Sequence, residues 1–132
     1  MTPTITPFLM FEGRAGEALT LYTSLFAGEL LSMQTYGPGP EGSIQLAEVR
    51  LGSLRLRVSD SPVQHAFSFT PSVSLFVDCQ SEEELRRLYA GLAEGGAELM
   101  PVGDYGFSPL FGWVNDRFGV SWQLNLPHPE TT

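Results

Sequence analysis

Few residues in this chain have both the type and the spacing to do chemistry. Glu48, Arg50, Arg55 and Arg57 alternate with apolar residues along 44–51 and 54–59. That spacing puts one carboxylate and three guanidiniums on the polar side of one hairpin. They could fix a polar end of a small ligand; pairing across the strands is the simpler reading of the same pattern. A second, neutral set is Ser72, Ser74, Trp113 and Gln123. Alternation groups Ser74 with Phe76, and Trp113 with Phe111, on the same side as Gln123. Aromatic walls with a few polar groups are the make-up of small-molecule pockets. A dimer contact or a satellite core has the same composition.

The remaining reactive side chains are isolated. His65 lies in a mid-chain loop near Asp60, and His128 lies between Pro127 and Pro129 near the end. A lone loop histidine is normally a solvated one. Cys79 has no second cysteine and no neighbouring histidine to activate it, so it reads as a small structural residue. Asp104 and Tyr105 sit in a glycine-rich stretch, 103–106, that reads as a mobile loop or a lid.

The elements that must hold these residues follow from periodicity. Residues 109–114 and 120–126 are apolar-rich runs around Asn115-Asp-Arg-Phe-Gly119, the pattern of a hairpin. In the second run Val120, Trp122, Leu124 and Leu126 face one way, and Ser121, Gln123 and Asn125 the other. Upstream, residues 5–11 read as an edge strand interrupted by Pro7. Ala15, Ala18, Leu19, Tyr22 and Leu25 recur at helical spacing, predicting a helix over 15–26 that stops at Gly28. Residues 30–36 form a strand, 37–42 a Gly/Pro loop, and 44–51 with 54–59 a hairpin around Gly52-Ser53.

After an irregular stretch, 61–71, the order repeats. Residues 73–77 form a strand. Ser81 with Glu84 forms a capping box, and Leu85, Leu88, Tyr89 and Leu92 give the buried stripe of a helix that ends at Gly95-Gly96. Residues 97–100 form a strand and 101–108 a loop before the last hairpin. Leu21-Tyr22 before Ala27-Gly-Glu-Leu30 is echoed by Leu88-Tyr89 before Gly96-Ala-Glu-Leu99. The expected fold is α+β: two βαβββ modules, about 1–60 and 70–127, in one domain with a shared cleft. Neither module alone buries enough surface to be stable.

Composition narrows the function. The 132 residues carry a formal net charge of -8 and no lysine; 42% are hydrophobic and 17% charged. That excludes a nucleic-acid binder, which needs clustered basic residues. An acidic surface could steer a cationic ligand, or serve only for solvation. The single cysteine fits a reducing compartment. No secretory leader and no run of about 20 apolar residues is visible. The expectation is a soluble, cytoplasmic protein without membrane or nucleic-acid partners.

Three segments carry a family resemblance over almost the whole chain. They are Pro7-Phe-Leu-Met-Phe-Glu-Gly-Arg-Ala-Gly-Glu-Ala18 with Tyr22 and Phe26, Phe69-Thr-Pro-Ser-Val-Ser-Leu-Phe-Val-Asp-Cys79, and Gly112-Trp-Val-Asn-Asp-Arg-Phe-Gly-Val-Ser-Trp-Gln123. With the doubled βαβββ order they resemble the PhnB-like branch, also labelled 3-demethylubiquinone methyltransferase-like, of the glyoxalase/bleomycin-resistance, or vicinal oxygen chelate, superfamily. The resemblance implies a cleft that binds a small molecule, in a homodimer. In metal-dependent members, His, Gln or Glu on inward strand positions bind a divalent ion. Here those positions fall on Pro7, Leu46, Ser72 and Gln123, or on Glu48 if the second shifts by two. Pro and Leu offer no ligand atom, and Ser and Gln are weak ones, so no metal or other cofactor is expected. The methyltransferase label lacks support: there is no glycine-rich βα turn of the dinucleotide type and too little length for the usual sheet.

The leading expectation is therefore a small-molecule binder using Glu48, Arg57, Ser72, Ser74, Trp113 and Gln123. One alternative is a metal-dependent lyase, isomerase or dioxygenase of the superfamily, built on Glu48 and His65. The other is a drug-sequestering resistance-type protein.

Overall fold

Alternating strands and two amphipathic helices form the same unit twice. In the computed structural model, which describes residues 2–37 and 43–128, the chain divides into two compact units, Met1–Ala66 and Phe67–Thr132. In the first unit, β1 (Phe8–Phe11), α1 (Ala15–Leu25), β2 (Glu29–Thr35), β3 (Ile44–Leu51) and β4 (Leu54–Asp60) follow in order. Its sheet runs β1-β4-β3-β2, with β1 parallel to β4 and the other pairs antiparallel. The second unit repeats this with β5 (Ser74–Asp78), α2 (Glu82–Ala93), β6 (Ala97–Gly103), β7 (Leu110–Asn115) and β8 (Ser121–Leu126), in the order β5-β8-β7-β6. Its parallel pair is β5 with β8. This is the α+β fold expected from the periodicity.

Each helix lies on one face of its own sheet. α1 buries Ala15, Ala18, Leu19 and Tyr22 against β3 and β4, and α2 buries Leu85, Leu88, Tyr89 and Leu92 against β6, β7 and β8. Each large apolar side chain so buried contributes about 1.5–3 kcal/mol. The opposite face of each sheet carries no helix of its own unit. That leaves Glu48 and Arg57 on one helix-free face, and Ser74, Trp113 and Gln123 on the other.

The two helices begin differently. α2 starts at the Ser81 cap read from sequence: Glu84 N donates to Ser81 Oγ at 3.1 Å, but Glu84 Oε1 reaches one residue past the cap and accepts from Gln80 N at 2.9 Å, so the box is not closed on Ser81 N. α1 has no local side-chain cap at Arg14. Its first turn is held by Asp60, at the end of β4 and 2% exposed. Asp60 Oδ1 accepts from Gly13 N and Ala15 N, and Oδ2 from Ile44 N, at 2.8, 3.0 and 3.0 Å. One carboxylate thus fastens the start of α1 and the start of β3 to the end of β4.

Several boundaries differ from the sequence reading, each for a physical reason. β1 begins at Phe8, because Pro7 has no N–H to give; its carbonyl accepts from Arg57 N at 2.9 Å. α1 is closed by Ala27, which takes the left-handed conformation at φ 48°, not by Gly28. Gly28 N then bonds Thr23 O at 2.8 Å, as in a Schellman motif. Gly28 is required for space: a Cβ there would stand 2.7 Å from Leu51 and 2.8 Å from the Arg50 carbonyl. β5 begins at Ser74, which leaves Ser72 in the preceding turn. β6 runs on to Gly103 through Pro101, which an edge strand with register shifts can hold. Of the Gly/Pro loop over 37–42, residues 38–42 lie outside the described residues, as do 129–132 beside His128. Among the described residues no helix is long and apolar enough to cross a membrane.

Candidate functional site

The last hairpin is built to hold its polar face still. Asp116, 3% exposed, accepts from Phe118 N and Val120 N on Oδ1, at 2.9 and 3.0 Å, and from Trp122 Nε1 on Oδ2 at 2.9 Å. The turn is closed by Gly119 at φ 92°. On the helix side, Gly112 lets the Tyr89 ring lie flat on β7: a Cβ there would meet that ring at 2.7 Å. Tyr89 donates its phenol to Glu98 Oε2 at 2.6 Å. Burial, then the hydrogen bond and charge of Glu98, push its pKa up. With Gly112 flush against the helix, Phe111 and Trp113 on either side of it project from the other face.

Register fixes what that face holds. One row across β5, β8 and β7 is Ser74, Ser121 and Asn115. The next is Phe76, Gln123 and Trp113, with Met100 beyond on β6. The third is Asp78, Asn125 and Phe111. Polar groups in the first two rows are joined into one chain. Trp113 Nε1 donates to Ser121 Oγ at 2.8 Å, Ser121 Oγ lies 2.6 Å from Ser74 Oγ, and the Gln123 amide lies 3.2 Å from Ser74 Oγ. In the third row Asn125 Nδ2 donates to Asp78 Oδ1 at 2.9 Å.

Aromatic rings border this chain. Phe111 is 3% exposed and central: its ring lies 4.9 Å from Phe107, 6.2 Å from Tyr105 and 6.3 Å from Phe76. The outer rings are open, Phe76 at 56% and Phe107 at 62% exposure. Tyr105 also donates its phenol to the Pro101 carbonyl, and Asp104 Oδ1 accepts from Gly106 N at 2.9 Å. The glycine-rich loop is therefore packed on the aromatic cluster through Tyr105.

The residues picked from sequence divide into two groups. Ser74, Trp113 and Gln123 share the face of the second sheet and one hydrogen-bonded chain. Ser72 does not join them; it is exposed, and its hydroxyl lies 2.8 Å from Thr70 Oγ1. Glu48 and Arg57 are neighbours on the face of the first sheet, in the row Phe8, Arg57, Glu48 and Ser32. Glu48 is gripped by two guanidiniums, Arg57 Nε at 3.1 Å and Arg55 Nε at 3.2 Å, and Arg50 pairs with Glu29 at 3.3 Å. Sequence reasoning passes over Ser121 as a site residue, although it joins Trp113 to Ser74; its signal is the same alternation that marks Gln123. It also passes over Asn115, whose Oδ1 is buried without a hydrogen-bond partner among the described residues.

The donor set does not suit a divalent ion. Leu46 and Glu48 both face out from β3, but Glu48 is committed to arginines. His65 Nε2 lies 2.7 Å from Ser61 Oγ. Among the described residues no three His, Cys, Asp or Glu side chains cluster as ligands. Cys79 is 2% exposed, and burial, followed by the Glu84 and Asp78 carboxylates, raises its pKa from 9.0 to about 11. It is no nucleophile at neutral pH. His128 is exposed. A separate open groove of about 460 Å³ lies on the helix side of the first sheet, lined by Gly16, Thr20, Thr23, Leu30, Met33 and Asp60 among others. None of the residues picked from sequence lines it.

Residues 3–125 match the family model described as 3-demethylubiquinone-9 3-methyltransferase. The chain belongs to that family. The PhnB protein of Bacillus cereus is 50% identical, with a TM-score of 0.88 over 94% of this chain and 99% of that one. Protein YjdN of Escherichia coli strain K12 is 26% identical over 97% of this chain and 98% of its own. A glyoxylase/bleomycin resistance protein/dioxygenase domain from Frankia sp. EAN1pec is 17% identical and shares the fold, with a TM-score of 0.70 over 97% of this chain and 99% of its own. The chain is thus PhnB-like, and it shares the fold of the glyoxylase/bleomycin resistance protein/dioxygenase domain. The family's name refers to methyl transfer. Neither mixed four-stranded sheet is the parallel, doubly wound kind that carries a glycine-rich cofactor turn.

Proposed function

We propose that this protein binds a small organic molecule, without a metal ion, on the helix-free face of its second sheet. The observation that carries the reading is the chain Trp113–Ser121–Ser74–Gln123, set among Phe76, Phe111 and Phe107. Exposed rings supply apolar area for a ligand to cover, and a polar chain whose members already satisfy one another can orient it at small desolvation cost. Glu48 and Arg57 stand on the other sheet, where their mutual pairing gives a separate polar surface. The active form is a homodimer, as the family resemblance implies; a monomer in sedimentation at micromolar concentration counts against that part.

The test is a fragment screen read by ¹⁵N–¹H shifts. Hits should perturb the Trp113 indole and the Gln123 side-chain amide, and the double variant Trp113→Ala/Gln123→Ala should lose them. Hits that map only to the groove beside α1 and β2 would overturn the site. Stabilisation by Mn²⁺, Ni²⁺ or Zn²⁺, lost with Glu48→Ala, would put the metal-dependent enzyme ahead.

A further inference from the structure

Hydrogen placement along the polar chain decides which end of the Gln123 amide is free. Trp113 Nε1–H can only donate, and it donates to Ser121 Oγ at 2.8 Å. Ser121 is 1% exposed, and Ser74 Oγ at 2.6 Å is the acceptor the structure offers its own hydrogen. The bond therefore runs from Ser121 to Ser74. Ser74 must then place one hydrogen. Its neighbours are the Gln123 amide at 3.2 Å and the Pro71 carbonyl at 3.5 Å, so the amide is the nearer of the two. The structure sets the amide nitrogen of Gln123 toward Ser74. That gives Ser74 Oγ two donors and sends its hydrogen to the distant Pro71 oxygen. A half-turn of the amide, which exchanges two ends of nearly equal size and shape, gives the Ser74 hydrogen its nearer acceptor and leaves the amide hydrogens to the open side. The order becomes Trp113 N–H to Ser121 to Ser74 to the Gln123 carbonyl, all running one way, so that each bond strengthens the next.

We infer that Gln123 turns its carbonyl to Ser74 and its NH₂ outward, so that the site recognises ligands carrying an acceptor oxygen (a carbonyl or carboxylate) beside an aromatic body. This inference rests on the proposed binding face. Gln123 stands between Phe76 and Trp113 in its row. A bound ring would lie against those side chains, with its oxygen head on the amide N–H. Trp113 then acts as a wall, because its one donor is consumed by Ser121. The direction is not what net charge suggests: a surface at -8 attracts cations at long range, whereas this contact selects acceptors at short range.

Two measurements on the 132-residue chain test it. The first needs no ligand. Ser74→Ala should leave the two Gln123 side-chain amide protons near their wild-type shifts, because they do not donate to Ser74. A large change confined to one of them means the nitrogen faces Ser74, and overturns the inference. The second titrates benzoate, benzamide and benzylamine into wild type, Gln123→Met and Gln123→Glu, following the Trp113 indole. Benzoate and benzamide should bind wild type, and losing one charge-assisted or neutral hydrogen bond in Gln123→Met should weaken them by about ten-fold. Gln123→Glu, which can only accept, should favour benzylamine instead. If wild type prefers benzylamine, the binding face stands but its polarity is wrong. If none of the three shifts any residue of the face, both the inference and the proposed function fall.

Discussion

Replacing Ser121 by Ala removes one oxygen atom from the middle of the polar chain. Ser121 Oγ accepts from Trp113 Nε1 and bonds Ser74 Oγ, and the residue is 1% exposed. The deletion leaves an indole donor without its acceptor and a serine short of a neighbour. A buried donor left unmade costs about 1–3 kcal/mol. Trp113 is only half-buried, so water recovers part of this and the middle of the range, about 2 kcal/mol, is expected. For a chain of this length 1 kcal/mol moves the melting temperature by roughly 3–5 °C, so the variant should melt roughly 6–10 °C lower. The assay is a double-mutant cycle with Trp113→Phe, which removes the same donor from the other side. If the bond is what Ser121 supplies, its loss should cost about 1 kcal/mol less when Trp113→Phe is already present, because the orphaned indole is gone. Additive costs, or a single-variant loss below about 0.5 kcal/mol, would refute the idea that Ser121 holds Trp113 in place.

Other expectations follow from the same geometry. Asp60→Ala strips three backbone donors of their acceptor and should cost about 3–5 kcal/mol in urea unfolding; Asp60→Asn keeps the two bonds of Oδ1 and should cost less than half as much. Equal losses would mean that charge, not donor count, is what matters there. Gly112→Ala puts a methyl 2.7 Å from the Tyr89 ring and should cost about 1–3 kcal/mol, with a changed near-ultraviolet tyrosine signal; an unchanged spectrum and stability would show that the ring does not need that space. Cys79 keeps its proton to about pH 11 when folded, against 9.0 ordinarily. The unfolded chain therefore loses that proton first, and stability should fall between pH 9 and 11 by roughly 2–3 kcal/mol. Cys79→Ala should flatten that part of the profile, and wild type should resist iodoacetamide at pH 8; rapid alkylation would contradict the buried, protonated thiol.

Periodicity alone locates both helices, because Leu85, Leu88, Tyr89 and Leu92 can be buried together only on a helix. It also locates the polar face of β8, because a strand has only two sides. What it misses has particular causes. The left-handed Ala27 is invisible to it, since glycine next to it is the residue that usually takes that conformation; here Gly28 is held by the space left between Leu51 and the Arg50 carbonyl. Pro101 has the look of a loop start, but β6 is an edge and its register shifts admit it. Ser72 enters as a position aligned with a family ligand, and it lies in the turn before β5, whose start depends on hydrogen bonds no local pattern announces. Asp60 and Asp116 look like ordinary turn acids. Their work is to collect N–H groups from several chain segments, and that is a property of the folded chain alone.

The repeated echo in the sequence shows how far shared form carries into function. Tyr22 and Tyr89 sit at matching points and are both buried, yet Glu29 reaches out to Arg50 while Glu98 takes the Tyr89 phenol. The helix-free faces have diverged further. On the first sheet, Glu48, Arg50, Arg55 and Arg57 are charged; the arginines are about half exposed and already in ion pairs. A ligand covering that face must strip water from several ions, a cost that exposed pairs repay poorly. On the second sheet the groups around Trp113 and Gln123 are neutral, already bonded to one another, and surrounded by open aromatic rings. Covering them removes apolar surface from water and leaves the polar chain satisfied, with one amide end still to be met. The same backbone thus offers two sheets, and desolvation favours the second over the first for the ligand proposed above.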